Sequence, residues 1–305
     1  MDNERTIVGR FAPSPTGRMH LGNVYAALIS WLSVKQQGGA WLLRIEDIDP
    51  DRSRHDYAEQ LMDDLQWVGL HWDIGPFYQS ERTALYDEQL ARLVATGLTY
   101  PCYLSRGEIL ATQAPHESDG RVVYGPEMRA KNAALTQQAT TMRRPAIRLR
   151  TVSKNISFTD EHYGPQTVNL EKQCGDFILR RSDGAWAYQL AVVVDDALMG
   201  VSEVVRGRDL LLSVPQQLYL YELLGFTPPR FTHFPLLCNA AGQRLCKRDR
   251  ALDMGELRRR FSPEQIIGQL AFLSGLTPTN EPLSPAELLP FFAWDKLPNS
   301  DIYVS

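Results

Sequence analysis

Residues 6–98 alternate between the two hydrophobic periods. A short strand-like run over 6–11 is followed by a Pro/Gly-rich turn, and then Val24, Leu28, Trp31 and Leu32 share one helical face. Gly38 and Gly39 stop that helix, and 41–45 reads as the next apolar strand. Ser53 is placed to cap a helix carrying Tyr57, Leu61 and Leu65 and ending at Gly69. A further helix runs over 80–97 with Leu85, Leu90 and Leu93 inward. Strands alternating with helices predict parallel βαβ units, and a helix opening after a phosphate-type turn predicts a nucleotide-binding α/β fold.

The texture changes at Tyr100. Residues 112–142 are polar and helix-like without a strong apolar face, and short alternating pairs follow at Ile147/Leu149, Ile156/Phe158 and Val168/Leu170. Ser182-Asp-Gly184 between 177–181 and 185–190 is a hairpin signal. This middle portion reads as an inserted, partly antiparallel lobe. The βα pattern then resumes with a strand over 190–194 and a helix opening with a capping box at Ser213 and ending at Gly225. Beyond residue 250 the chain reads as helical. The expected division is 1–98 and 186–238 for the two halves of a Rossmann-like unit, 99–185 for the insert, and 239–305 for a basic loop and helical tail.

Bulk properties narrow the function classes. The 305 residues are 44% hydrophobic and 22% charged, ordinary for a globular protein with a large core. With 32 basic and 36 acidic residues the net charge is −4, which excludes a globally basic nucleic-acid coat. Any RNA contact must use local basic patches. Cys102, Cys174, Cys238 and Cys246 show no CxxC spacing and read as reduced thiols. No apolar run approaches the ~18 residues of a membrane span, and the first residues lack a signal-type apolar core. The expected location is the cytoplasm.

The densest chemistry lies in Arg10-Phe-Ala-Pro-Ser-Pro-Thr-Gly-Arg-Met-His-Leu-Gly-Asn23. A strand, a Pro/Gly turn and a helix start present backbone N–H groups to phosphate. His20, Gly22 and Asn23 sit where an anion docks, and Gly17 and Gly22 allow close backbone approach. Much later, Arg244-Leu-Cys-Lys-Arg248 forms a small basic loop whose Lys247 is suited to drawing charge toward a leaving pyrophosphate. Arg10, Arg206 and Glu46 lie at or near strand ends, where open α/β sheets bind ligands. The two arginines suit a substrate carboxylate, and Glu46 suits an ammonium. Glu46 also has a purely structural reading, an ion pair with a neighbour such as Arg44.

Together the two segments resemble the HIGH and KMSKS signatures of class I aminoacyl-tRNA synthetases, and Arg-Phe-Ala-Pro-Ser-Pro-Thr-Gly resembles the glutamate-specific branch. The resemblance covers 6 to about 250 and implies a Rossmann-like catalytic domain with an inserted α+β lobe and a short helical C-terminal tail. It implies ATP with Mg2+, with His20, Gly22, Asn23 and Lys247 on ATP and His20 and Lys247 in catalysis. It further implies a glutamate site made by Arg10, Ser14, Glu46, Tyr188 and Arg206. Two positions depart from the basic-loop motif: Arg244 stands for its first Lys and Cys246 for its Ser.

Roughly 55 residues follow that loop, about half a typical domain. The resemblance is therefore to the truncated branch that esterifies glutamate to queuosine at the wobble position of tRNA(Asp). Glu203, where full-length relatives carry His, agrees. That branch implies a monomer whose partners are L-glutamate, ATP and the anticodon stem-loop of tRNA(Asp), with no membrane. Its rivals are a minimal glutamyl-tRNA synthetase charging a tRNA 3′ end and a catalytically silent RNA-binding paralogue. Many members hold zinc in the insert; the matching positions here are Cys102, Leu104, His116 and Gly120, and Leu and Gly cannot ligate it. No metal site is expected. Candidate RNA contacts are Arg143, Arg144, Arg148 and Arg150 in the insert and Arg258, Arg259 and Arg260 in the tail. Phe291, Phe292 and Trp294 are candidates for base stacking or for core packing.

Overall fold

A computed structural model of the chain describes residues 6–105, 107–109, 123–138, 144–239, 241–245 and 252–304. The expected α/β architecture is present. Strands β1 (Val8–Phe11), β2 (Ala40–Ile45) and β3 (Ile74–Tyr78) are parallel neighbours, linked by helices α1 (Leu21–Gln36) and α2 (His55–Trp67). A helix α3 (Thr83–Ala95) leads into the insert. There β4 (Thr99–Cys102), β5 (Ala146–Leu149) and β8 (Phe177–Arg180) make an antiparallel three-stranded sheet, beside helix α4 (Pro126–Gln138). The chain then returns through helix α5 (Tyr188–Leu198), β9 (Glu203–Gly207), helix α6 (Val214–Leu224) and β10 (Arg230–Phe234).

The insert does not stay apart. Its hairpin, β6 (Asn155–Asp160) with β7 (Gly164–Asn169), joins the main sheet, whose order is β3-β2-β1-β9-β10-β6-β7. Strand β6 runs parallel to β10 with Phe231 opposite Asp160, and only the β6–β7 pair is antiparallel. The strand order reverses between β1 and β9, which makes a crevice at their carboxyl ends.

Two apolar layers cover the sheet. One holds α1, α2 and Trp41, Leu43 and Ile45 of β2. The other holds α3, α5 and α6 with Val204 of β9. Helix α1 lies so close to β1 that a Cβ on Gly9 would stand 2.1 Å from Cγ2 of Val34. The tail helices α7 (Met254–Arg260) and α8 (Pro263–Leu273) add Met254, Leu257, Ile266, Ile267 and Leu270 to the first layer. Phe292 is buried there too, with Trp294 edge-on at 5.3 Å, so both pack rather than wait for bases; Phe291 is exposed. A last strand, β12 (Ile302–Tyr303), pairs in parallel with β11 (Leu237–Cys238), just before the basic loop. Asp301 beside it receives the Leu236 N–H at 2.9 Å and pairs with Arg208.

Three local expectations are corrected. Residues 190–194 form the middle of α5, not a strand. An unbroken apolar run of that length fits either element, and this one is buried on a helix between sheet and α3. The second arm of the hairpin expected at 182–184 is therefore only a bridge between Arg180 and Trp186. Finally, Ser53 and Ser213 make no cap: Arg54 precedes α2 without a side-chain bond, and Ser213 is itself helical in backbone.

Candidate active site

A cavity of about 410 Å³ opens at the carboxyl ends of β1, β2 and β9, in the crevice where the strand order reverses. Arg10, Ser14, His20, Asn23, Glu46, Tyr188 and Arg206 all line it. Gly22 instead lines a smaller adjoining cavity of about 40 Å³, which shares His20 and Arg244 with the first. Lys247 and Cys246 lie outside the described residues. The chain on either side of them does not: Cys238 bridges Arg244 before the gap, and Asp253 bridges His20 after it. The described residues flanking the basic loop, Arg244 and Asp253, both lie beside the Pro/Gly turn, Arg244 by lining the same cavity as His20.

The turn is built differently from the expectation. His20 caps α1: its Nδ1 accepts the Gly22 N–H at 3.1 Å, and Asn23 Oδ1 accepts the His20 N–H at 3.0 Å. The Asn23 N–H goes to His20 O at 2.8 Å. These donors are therefore bonded within the helix start. What the arrangement sets is the ring: with Nδ1 accepting, a neutral His20 carries its proton on Nε2. A Cβ on Gly22 would stand 3.1 Å from that ring, so glycine keeps the contact possible.

The charged floor comes from β1, β2 and α5. Arg44, fully buried, donates to Asp196 Oδ1 at 2.7 Å and to Glu46 Oε1 at 3.3 Å, and Arg10 Nε stands 3.5 Å from the same Asp196 oxygen. Glu46 thus makes the structural pair with Arg44 and also lines the cavity. Burial pushes the Glu46 carboxyl above its ordinary range, with Arg44 and Arg10 opposing. Burial opposes the charge on Arg44 as well, but Asp196, Glu46 and Asp195 together hold it above its ordinary value.

Arg206 forms the opposite wall. Its Nη1 donates to Tyr188 Oη at 3.3 Å, its Nη2 to Leu210 O at 3.2 Å and its Nε to His233 Nε2 at 3.0 Å. Burial lowers its pKa, offset in part by Tyr188, and burial raises that of Tyr188.

Sequence reasoning missed several of these groups. Arg18 and Asp209 also line the cavity, and Asp209 pairs with Arg244. Asp195 and Asp196 hold the buried arginines; two acids inside an apolar run were the available signal. Asp160 and His233 had none. Glu203 does not line the cavity. It sits at the far end of β9, accepting from Ser33 at 3.0 Å and Gln37 at 3.0 Å.

The other candidates separate. Arg148 is buried, stacked 4.0 Å over Tyr124 and donating to Asp176 O, and Arg258 lies over Trp67 and pairs with Asp63 and Asp64, so neither is a surface patch. Arg144, Arg150, Arg259 and Arg260 are exposed; Arg143 lies outside the described residues. Arg150 borders a second cavity of about 410 Å³ with Tyr100 and Arg129. Of the zinc-type positions, Cys102 and Leu104 sit in a small apolar cluster with Tyr124 and Met128, while His116 and Gly120 lie outside the described residues. Among the described residues no group of three His, Cys, Asp or Glu is arranged to hold a metal, and no helix is long and apolar enough to cross a membrane.

The family model for class I tRNA synthetases (E and Q), catalytic domain, matches residues 6–285. The chain is 46% identical over 303 residues to a glutamyl-Q tRNA(Asp) synthetase from Nitratidesulfovibrio vulgaris, spanning 96% of this chain and 94% of that one. It is 45% identical to a protein of the same name from Symbiobacterium thermophilum, over 98% and 96% of the two chains. Among solved structures, a glutamate tRNA ligase from Elizabethkingia meningosepticum in complex with its amino acid superposes with a TM-score of 0.81 at 28% identity, covering 99% of this chain and 67% of that one. With the catalytic-domain match and near full-length relatives in agreement, the chain belongs to the class I tRNA synthetase (E and Q) family and, within it, to the glutamyl-Q tRNA(Asp) synthetases.

Proposed function

We propose that this protein activates L-glutamate with ATP and transfers the glutamyl group to queuosine at the wobble position of tRNA(Asp). One observation carries the reading: two arginines, a carboxylate and a tyrosine from four separate stretches of the chain meet in one cavity at the sheet's reversal point. The relatives' names support the acceptor.

In this reading Arg206 and Tyr188 meet the side-chain carboxylate of glutamate, Glu46 meets its ammonium, and Arg10 and Ser14 orient the reacting carboxylate. A carboxylate oxygen attacks the α-phosphorus of ATP, the bond to the β-phosphate oxygen breaks, and pyrophosphate leaves. No proton moves, so positioning and charge stabilisation supply the catalysis. His20 contributes a neutral Nε2–H donor at the phosphates, and Lys247 neutralises charge on the leaving side. Mg2+ would enter with ATP and would supply charge neutralisation to its phosphates. In the second step a hydroxyl of the queuosine diol attacks the adenylate carbonyl, forming the ester and releasing AMP and a proton.

The same reading assigns catalysis to 1–98 and 186–238, contact with the RNA to 99–185, and the basic loop and helical tail to 239–305, in a monomer acting in the cytoplasm. Its test is glutamate-dependent ATP–pyrophosphate exchange without tRNA, followed by labelled glutamate transfer to tRNA from cells with and without queuosine. Exchange that requires tRNA, or labelling at the 3′ end irrespective of queuosine, replaces this reading with a minimal glutamyl-tRNA synthetase. No glutamate-dependent exchange at all leaves the silent RNA-binding paralogue.

A further inference from the structure

We propose that Asp160 and His233 form a buried positioning relay that aims Arg206 at the substrate carboxylate, and that the aim holds only while His233 is neutral with its proton on Nδ1. The inference rests on the function proposed above.

The geometry admits one tautomer. Arg206 Nε always carries hydrogen, so His233 Nε2, 3.0 Å away, must accept. The ring proton is then on Nδ1, which points at Asp160 Oδ2 at 2.6 Å. Asp160 is held in turn, because its Oδ1 accepts the N–H groups of His162 at 3.1 Å and Tyr163 at 2.9 Å. Asp160 and His233 are wholly buried and Arg206 nearly so, so a lost partner cannot be replaced by water. Protonated His233 would offer a second donor to Arg206 Nε and place two cations in contact.

The charged groups facing His233 are Asp160 from β6, Arg206 from β9 and Arg10 from β1. Burial is the largest influence and, with both arginines, opposes protonation, while Asp160 favours it; the net direction is downward. The neutral ring therefore persists at neutral pH. Asp160 belongs to the inserted hairpin, so the insert supplies the anchor for a side chain of the catalytic half. None of the cavity-lining residues includes Asp160 or His233, which makes them positioning residues, not catalytic ones.

The test is Asp160→Asn. Backbone donors keep the amide oxygen where Oδ1 was, so the amide nitrogen faces Nδ1 and donates to it. His233 then shifts its proton to Nε2, where it meets the Arg206 donor. Nitrogen-15 spectra of histidine-labelled protein should show the Nδ1–H tautomer of His233 in the unaltered enzyme and the Nε2–H tautomer in the variant. In pyrophosphate exchange the KM for glutamate should rise about tenfold or more while that for ATP stays within about twofold, the size of one lost charge-assisted hydrogen bond. A glutamate KM unchanged in the folded variant overturns the relay, and so does an Nε2–H tautomer in the unaltered enzyme, which needs no variant. If Asp160→Asn does not fold, the glutamate KM of the unaltered enzyme should rise on acidification in step with His233 titration followed by NMR, and a KM indifferent to that titration overturns the relay. Absence of glutamate-dependent exchange in the unaltered enzyme would instead strike the proposed function, leaving the tautomer as an independent reading of the relay.

Discussion

Arg44 and Asp196, from β2 and α5, meet at 2.7 Å with both side chains all but excluded from solvent. The pair ties the two halves of the sheet unit together across the insert, and Asp196 shares its oxygen with Arg10 of the cavity. Replacing Arg44 by Met leaves Asp196 and Glu46 buried with one charge partner fewer. Such a break costs about 3–5 kcal/mol. Urea unfolding should show a loss of that size, and a change within about 0.5 kcal/mol would mean the site relaxes to admit water.

Arg206→Ala should impair glutamate use far more than ATP binding. Removing one member of a buried charge–carboxylate contact costs about 2–5 kcal/mol. Pyrophosphate exchange at varied glutamate and varied ATP separates the two, and an unaltered KM for glutamate would assign Arg206 to another task.

Stability should fall with acid in a definite direction. His233 is held below the ordinary imidazole value, chiefly by burial, so the unfolded chain takes up its proton more readily. The stability it contributes is complete above about pH 6.5 and is lost as pH falls toward its folded value. Asp160 is held below its ordinary value because the His233 bond and backbone N–H groups outweigh burial, so its contribution is lost in turn below about pH 3.9. Both signs agree. Urea midpoints measured downward from pH 7 should decline, and a flat profile to pH 5 would show that His233 is not buried neutral.

Purified protein should carry no stoichiometric zinc and should keep its melting temperature in chelator. The argument is chemical: Leu104 and Gly120 supply no ligand atom. Elemental analysis giving one zinc per chain would show that other residues complete a site.

An isolated anticodon stem-loop bearing queuosine should accept glutamate, and periodate cleavage of its diol should abolish acceptance. Binding should weaken steeply with salt, because phosphate contacts release counterions. The exposed Arg144, Arg150, Arg259 and Arg260 are the places to remove charge; Arg148 and Arg258 are not, since their loss would report on folding. Charging of a queuosine-free tRNA at its 3′ end, with no reaction on the stem-loop, would favour the minimal synthetase.

Local sequence carried the first half of the fold well, because strand, turn and helix there are short-range and the Pro/Gly string has a fixed order. The cavity's named residues were legible for the same reason, each sitting in a recognisable segment. Residues 190–194 were misread because burial on all sides erases helical periodicity. Asp160 and His233 stayed invisible because they are brought together by a strand pairing across 73 positions. Nothing in either segment announces the other. The cap at His20 was missed for a different reason: histidine seldom plays that part, and the expectation spent its N–H groups on phosphate.

The pairing of β12 with β11 has a practical consequence for anyone handling this protein. Ile302 and Val304 bond to Leu236 and Cys238 at 2.8 Å each, on the strand that feeds directly into the basic loop. A purification handle or fluorescent fusion joined close behind residue 304 would load that seam directly. Handles and reporters are better carried at the other end of the chain, with the seam left intact.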